Sequence, residues 1–251
     1  MKKEQYLPLV SFLSSFFLYL GISFLPIQKW IDSLWIVQLI QAGIYLILLF
    51  LLLFDSRKLK LAEKEKHPSY LLVLPFLLLC CSNFLYVLFF RISPSLSFNT
   101  PIFFTSLILV LVKAGIEELL FRKLLLSFLL DVRKDKKYKE LLVILIVSLC
   151  FSLRHAVNFY GNDPLSVVSQ IGYTFFLSLF LTGYTILYSS LLPSYFCHLL
   201  FNLLNNLLFS SFYEIEINPS YILFSIRIGF LLFLFYLLFG LVKYRKTKKH
   251  A

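Results

Sequence analysis

The sequence predicts an all-α protein, a polytopic bundle of about eight transmembrane helices that forms one membrane domain over residues 1–251. Three observations predict this fold. Hydrophobic residues make up 59% of the chain and charged residues only 15%, a composition that a soluble globule cannot bury. The apolar residues form long runs, and a bilayer core about 30 Å thick needs about 20 of them per helix. The basic residues are confined to short stretches between the runs.

Eight apolar runs give the helices in order. The first follows Lys2 and Lys3 and has no small-residue cleavage site after it, so it is predicted to be a membrane helix and not a signal peptide. The seventh contains Asn202, Asn205 and Asn206 and is expected to face protein instead of lipid. The predicted helices are Leu7 to Leu25, Leu34 to Phe54, Tyr70 to Phe90, Ile102 to Leu130, Leu141 to Tyr160, Val167 to Leu191, Pro193 to Ser210 and Tyr221 to Tyr244.

The distribution of basic residues predicts the topology. With eight crossings both termini lie on the same side, and the positive-inside rule makes that side the cytoplasm. The loops on the other side hold only Lys29 and Arg91. Topology and anionic-lipid contacts account for the net charge of +11, and no nucleic-acid partner is expected because the aromatic residues lie inside the apolar runs. The basic stretches are Met1 to Gln5, Asp55 to Pro68, Asp131 to Glu140 and Lys243 to His250.

The cysteines carry no chemistry in this prediction. All four lie inside apolar runs, which argues against both a disulfide framework and a zinc-thiolate site. They are Cys80, Cys81, Cys150 and Cys197.

Ionisable residues inside the predicted helices are the candidate functional residues, because each costs about 3 kcal/mol or more to insert into a bilayer. They concentrate in the fourth, fifth and seventh helices. They are Lys113, Glu117, Glu118, Arg122 and Lys123 in the fourth, Arg154 and His155 in the fifth, and His198, near Asn202, in the seventh.

Helical spacing indicates which of these residues cooperate, since residues three or four apart share a face. Glu118 and Arg122 are spaced to form an ion pair, and His198 and Asn202 point the same way. Adjacent residues diverge by about 100°. Arg154 is therefore expected to point away from the face of His155, toward lipid phosphate or the outer loop.

The depth of these residues predicts where the site opens. Arg122 and Lys123 are expected to mark the inner interface, which makes the fourth and fifth helices longer than the membrane is thick and opens the site toward the cytoplasm. Lys113, one turn before Glu117, is not assigned a role, and Arg227 in the eighth helix has no predicted partner.

A carboxylate, two imidazoles and an amide in a dry pocket suit two kinds of chemistry. They can activate a water and stabilise an oxyanion. They can also hold a divalent metal such as Zn²⁺ through Glu117, His155 and His198, with an open position for the water. The sequence leaves the metal and metal-free mechanisms equally open.

Three motifs on successive helices carry a family resemblance. They are Glu117-Glu118-x-x-x-Arg122, Phe151-x-x-x-His155 and His198-x-x-x-Asn202. In this order they resemble the CAAX-protease and bacteriocin-processing (CPBP/Abi) family of intramembrane proteases. The resemblance covers a catalytic core of about residues 102–210, and the flanking helices match only in being hydrophobic.

The resemblance implies an intramembrane endopeptidase that cleaves a peptide or lipidated-protein substrate near its terminus, as in CAAX-type or peptide-precursor processing. It implies that Glu117 activates the water with His155 as its partner. His198 and Asn202 would form the oxyanion hole or complete a metal site. Glu118 and Arg122 are interpreted as a structural ion pair that orients Glu117.

Two other classes stay open at this point. One is a non-catalytic bacteriocin-immunity or regulatory membrane protein of the same fold. The other is a transporter or proton-linked channel that uses the buried acids as a relay. The expected location is a bacterial cytoplasmic membrane, and the sequence gives neither the substrate nor the oligomeric state.

Overall fold

The structure is a computed structural model. It describes residues 6–25, 27, 31–57, 59, 73–89, 99–132, 139–160, 162–208, 227–229 and 231–232. In the first half of the chain the helices are α1 (Leu7–Ser23), α2 (Leu34–Ser56), α3 (Val73–Cys80), α4 (Ser82–Phe89) and α5 (Thr100–Glu117). The Asn99 side chain caps α5 by accepting a hydrogen bond of 3.2 Å from the Ile102 amide.

The second half of the chain departs repeatedly from regular α-helix. It contains a π-helical segment (Glu118–Leu125), α6 (Leu126–Val132), α7 (Lys139–Leu153), a 3₁₀ segment (Arg154–Phe159), α8 (Pro164–Tyr188), α9 (Leu192–Asn202) and a second π-helical segment (Leu203–Leu208). The Asp163 side chain caps α8 by accepting a hydrogen bond from the Ser166 amide. Ser189, with φ of 50°, ends α8 in the left-handed conformation that makes the short turn into α9.

The predicted all-α class is confirmed, since the described residues form helices and no strand. The third predicted helix is broken at Cys81 into α3 and α4. The fourth continues without a break from α5 through the π-helical segment and α6. At about 1.5 Å per residue this stretch exceeds the hydrocarbon thickness of about 30 Å, in line with the expectation for that helix.

Within the described part of the chain, three helices are long and apolar enough to cross a membrane, and α1 is a shorter apolar helix. The three are Leu34–Ser56, Glu140–Phe159 and Pro164–Tyr188. Large apolar side chains such as Phe17, Phe50 and Phe54 are more than 60% exposed, which suits contact with lipid. Most of the eighth predicted helix lies outside the described residues, and the count of eight crossings and the cytoplasmic termini stay predictions.

Two apolar clusters hold the bundle together. The larger joins α1, α2, α5, the first π-helical segment and α7 around Phe12, Leu52 and Phe121. The smaller joins α3, α8 and α9 around Phe76 and Phe180, whose rings stack with centroids 5.1 Å apart. Phe151 of α7 packs edge to face on Phe121 and brings the end of α7 against the first π-helical segment. The candidate site lies between these clusters.

Arg227, which had no predicted partner, takes part in a polar network at the break between α3 and α4. Its guanidinium donates to Ser82 Oγ at 3.0 Å and to Asn83 Oδ1, and it lies over the Tyr173 ring. Asn205 is the other centre of this network, with its side-chain amide donating to the Leu79 carbonyl oxygen at 3.1 Å. The network gives Asn205 and Arg227 a structural role, because it satisfies polar groups exposed where the helix is interrupted.

Candidate active site

The π-helical segment that begins at Glu118 places the adjacent glutamates in a buried polar centre. Glu117 is 5% exposed, Glu118 2% and Arg122 0%. The ion pair predicted from the i,i+4 spacing is present, with Arg122 Nη1 3.2 Å from Glu118 Oε1. Arg122 also donates to Ser178 Oγ at 2.8 Å and stacks on the Phe151 ring at 4.2 Å. These contacts fix Arg122 against α7 and α8 together.

Glu118 also orients His198 of α9. Glu118 Oε1 lies 2.8 Å from His198 Nδ1, and Glu118 Oε2 accepts a hydrogen bond of 2.8 Å from Ser194 Oγ. An ionised carboxylate can only accept, so the Nδ1 of His198 carries the proton. The other ring nitrogen, Nε2, then faces Glu117 Oε2 at 3.6 Å. The orientation of His198 toward Glu117 therefore follows from its bond to Glu118.

Two side chains that the sequence analysis did not assign to the site hold Glu117. Tyr19 of α1 donates a hydrogen bond of 2.7 Å to Glu117 Oε1. Arg154 Nη2 lies 2.9 Å from the same oxygen, and Arg154 Nη1 donates to the Tyr19 hydroxyl at 2.9 Å. Tyr19, Arg154 and Glu117 thus form a closed triangle that fully engages Oε1. The other oxygen of Glu117, Oε2, faces His198.

The predicted direction of Arg154 is wrong. The expected direction holds for an α-helix, in which neighbouring residues diverge by about 100°, but α7 ends at Leu153 and the chain continues as a 3₁₀ segment. The long Arg154 side chain reaches Tyr19 and Glu117, and its Nη2 also lies 3.2 Å from His155 Nε2. Because a guanidinium only donates, His155 Nε2 is the acceptor in that contact.

The four predicted catalytic residues line one cavity of about 430 Å³. Glu117 comes from α5, His155 from the 3₁₀ segment, and His198 and Asn202 from α9. The Phe151 ring contacts both imidazoles edge to face, with its centroid 5.7 Å from each. The Phe-x-x-x-His spacing therefore places an apolar wall between the two histidines.

Lys113 lines the same cavity. Its Nζ lies 5.0 Å from the centroid of the Tyr45 ring, a cation–π distance. The carboxylate of Glu117, one turn along α5, is instead paired with Arg154. The cavity wall accordingly carries two cationic side chains and one carboxylate.

The residues proposed as metal ligands fit a divalent ion poorly. Among the described residues, no group of three or more His, Cys, Asp or Glu side chains is arranged to hold a metal. Glu117 Oε1 and His155 Nε2 both contact the guanidinium of Arg154, which places a positive charge between two of the three candidate ligands. His198, the third candidate, has an available ring nitrogen, since its Nδ1 is bonded to Glu118 and its Nε2 faces Glu117 Oε2.

The residues that sequence reasoning missed differ in how far they could have been found. Arg154 carried a signal, since it is an ionisable residue inside a predicted membrane helix. Tyr19 carried no such signal, because nothing in the sequence distinguishes it from the rest of the 15 tyrosines. Its place in the site depends on the packing of α1 against the first π-helical segment.

Comparison with known protein families gives a match to part of the chain. Residues 99–204 match the family described as type II CAAX prenyl endopeptidase Rce1-like. The match contains all three motifs and confirms the resemblance to the CAAX-protease and bacteriocin-processing family. It covers less than half of the chain and leaves out α1 and α2. Neither a curated protein nor a solved structure showed a significant match to the chain.

Proposed function

We propose that the protein is an intramembrane endopeptidase that uses a water activated by Glu117, because residues 99–204 match the family described as type II CAAX prenyl endopeptidase Rce1-like. At the family level the match supports protease activity on a peptide or prenylated-protein substrate. A multi-pass location in a bacterial cytoplasmic membrane is part of the proposal.

One observation carries the mechanistic part of the proposal. Glu117 has one oxygen, Oε1, held by Tyr19 and Arg154, while the other, Oε2, faces the His198 imidazole at the cavity wall. A carboxylate held on one side and exposed on the other is positioned to accept a proton from a water in the cavity. The paired cation neutralises the carboxylate's charge in a buried site.

In the proposed reaction a water gives a proton to Glu117 Oε2 while its oxygen bonds to the carbonyl carbon of the scissile peptide. His155 is the partner of Glu117 in activating the water. Its Nε2 and Glu117 Oε1 both contact the guanidinium of Arg154. The negative charge that develops on the carbonyl oxygen is stabilised by hydrogen bonds from Asn202 and from His198 when Nε2 is protonated. The C–N bond then breaks as the proton passes from Glu117 to the leaving nitrogen, which restores the carboxylate.

The ion pair of Glu118 and Arg122 has a supporting role in this proposal. Glu118 links Arg122 to His198, and so couples the fixed guanidinium to the direction of an imidazole in the site. Neither side chain lines the cavity. Both are positioning residues and not catalytic ones.

The experiment is proteolysis by the purified, full-length protein in lipid nanodiscs. A quenched-fluorescence peptide library and a farnesylated CAAX peptide serve as probes, and the wild type is compared with Glu117→Gln. We expect cleavage by the wild type and a loss of at least about 100-fold in the variant, the scale of a general base's contribution. Glu140→Gln, at the start of α7 and outside the cavity, is the matched control.

Two outcomes would overturn this function. Cleavage that persists in Glu117→Gln would remove Glu117 from the mechanism. If the wild type cleaves neither probe, the peptidase function is wrong and the immunity or regulatory protein considered from the sequence is favoured.

A further inference from the structure

The residues that line the cavity around Glu117 lie toward one end of the helix bundle. Ser23 is the last residue of α1, and Gln41 lies in the first half of α2. Asn158 follows α7, and Gln170 lies in the first half of α8. These four residues define what we call the open end. Ser23 is exposed and the other three are partly exposed.

The lining residues of α5 and α9 agree with this direction. In α5 the cavity is lined by Val110, Lys113 and the last residue, Glu117, and no residue of the π-helical segment that follows lines it. In α9, which begins at Leu192, the lining residues are in the later part, His198 to Asn202. The lining residues of all six elements therefore lie toward the open end, and we infer that the mouth of the cavity is there.

The bundle is closed on the other side of Glu117. Arg122, Phe121 and Leu124 follow Glu117 in the first π-helical segment and are at most 1% exposed. Arg122 ties this segment to Ser178, and Phe121 packs on Phe151. Close packing and a buried ion pair thus separate the cavity from this second end, which we call the closed end.

The basic stretches of the sequence adjoin the closed end. α2 ends at Ser56, directly before a segment with five Lys and Arg residues between 57 and 66. α6 ends at Val132 and α7 begins at Lys139, on either side of a segment that holds Arg133 and Lys134 among its basic residues. At the open end, residues 160–163 between the 3₁₀ segment and α8 contain no Lys or Arg. The positive-inside rule places the closed end in the cytoplasm.

We propose that the cavity opens on the extracytoplasmic side of the membrane, so that the substrate is a peptide segment presented at the outer surface. This replaces the expectation from sequence that the site faces the cytoplasm. The amide and hydroxyl groups of the open end suit hydrogen bonding to a peptide backbone in a way that an all-apolar mouth would not. The substrate class rests on the proposed peptidase function, whereas the direction of the cavity rests on topology alone.

The experiment measures accessibility with single cysteines in the otherwise complete chain. The four native cysteines, free in the structure, are first replaced by alanine. Ser23→Cys and Asn162→Cys report on the open end, Gln170→Cys on the cavity, and Arg57→Cys on the closed end. A charged, membrane-impermeant methanethiosulfonate is applied to intact spheroplasts and to inverted membrane vesicles.

We expect Ser23→Cys, Asn162→Cys and Gln170→Cys to react in spheroplasts, and Arg57→Cys to react only in inverted vesicles. The reverse pattern would overturn the proposal. Asn162 is exposed in the loop after the 3₁₀ segment, so a variant there reports on sidedness even if one of the others fails to fold.

Labelling does not depend on proteolysis, so this proposal and the proposed function fail separately. If Glu117 is dispensable for cleavage but Asn162→Cys reacts in spheroplasts, the direction stands and the catalytic role falls. If cleavage needs Glu117 but the cavity reacts only in inverted vesicles, the direction falls alone. Modification of Gln170→Cys from outside should also slow cleavage by at least ten-fold if the cavity is the substrate's route. An unchanged rate would rule out that route.

Discussion

The Tyr19 hydroxyl donates a hydrogen bond of 2.7 Å to Oε1 of Glu117, across 98 residues of sequence. Tyr19 belongs to α1, which lies outside the family match at residues 99–204. Its ring is 1% exposed, and its hydroxyl also accepts a hydrogen bond from Arg154. The first helix therefore contributes directly to the positioning of the glutamate.

Tyr19→Phe should lower kcat with little change in KM. The substitution keeps the buried ring and removes one hydrogen bond to a charged group, worth about 1.5–3 kcal/mol. On the scale of about 1.4 kcal/mol per factor of ten, kcat should fall by about 10-fold or more. Steady-state cleavage of a fluorogenic peptide in nanodiscs measures both constants.

Tyr195→Phe is the control for that measurement. Its hydroxyl donates a long bond of 3.4 Å to the Leu111 carbonyl oxygen, and Tyr195 does not line the cavity. The kcat of Tyr195→Phe should stay within about two-fold of the wild-type value, because this long hydrogen bond outside the cavity contributes little to catalysis. Equal rates for Tyr19→Phe and the wild type would show that Tyr19 does not position Glu117.

Arg122→Met should destabilise the protein strongly. The substitution leaves the Glu118 carboxylate buried without its guanidinium, and breaking a buried ion pair from one side costs about 3–5 kcal/mol. Thermal unfolding in nanodiscs should show a clear fall in Tm, and Lys123→Met, which removes the neighbouring half-buried charge, should have a much smaller effect.

The double variant Glu118→Gln with Arg122→Met distinguishes an ion pair from packing. Removing both charges should recover part of the lost Tm, because no unpaired charge remains buried. Cleavage should stay low in the double variant, since His198 loses the carboxylate that orients it. If the double variant loses more stability than the sum of the losses in the two single variants, the ion pair is contradicted.

The sequence predicted features that depend on a single helix. The apolar runs predicted the helical class and most of the helices in the described part of the chain, and the i,i+4 spacing predicted the pair of Glu118 and Arg122. Phe151 and His155, which have the same spacing, are also in ring contact in the structure. These succeed because periodicity fixes which residues share a face.

Features that depend on irregular helix or on contacts between distant helices could not be predicted in this way. Arg154 was misplaced because the α-helix gives way to a 3₁₀ segment at that residue. The π-helical segment after Glu117 has no sequence signal that periodicity would detect. Tyr19 meets Glu117 only through the packing of α1, which no pattern within α1 contains. The direction of the cavity likewise required the three-dimensional arrangement of six elements.

Asn205→Leu should destabilise the protein without a specific effect on catalysis. Asn205 Oδ1 accepts hydrogen bonds from Ser82 and from the Asn83 amide, and its side-chain nitrogen donates to the Leu79 carbonyl oxygen. Leaving such buried groups unpaired costs about 1–3 kcal/mol each. We expect Tm to fall while kcat per folded molecule stays near the wild-type value.

The exposed Asn162 provides a control, since Asn162→Ala removes a single hydrogen bond to the Asn158 carbonyl oxygen and should hardly change Tm. A catalytic loss in Asn205→Leu that exceeds its loss of folded protein would show that this network also serves the active site.

Cleavage should not depend on a divalent metal, because Arg154 already supplies the positive charge beside Glu117. Its guanidinium lies 2.9 Å from Glu117 Oε1 and 3.2 Å from His155 Nε2, and a divalent ion bound by these two atoms would be repelled by it. Enzyme dialysed against a chelator should therefore keep its full rate, and added Zn²⁺ should not increase it.

Substitutions of Arg154 test whether its guanidinium, and not a metal ion, supplies the positive charge beside Glu117. Arg154→Gln removes the counter-charge of Glu117 and should lower kcat by about 10- to 100-fold, as for the loss of one or two charge-assisted hydrogen bonds. Arg154→Lys keeps the charge but cannot contact Glu117, His155 and Tyr19 with one planar fork, so an intermediate rate is expected. If the chelator abolishes cleavage and Zn²⁺ restores it, Arg154 must move away from Glu117 in the active enzyme, and the metal-free mechanism would be wrong.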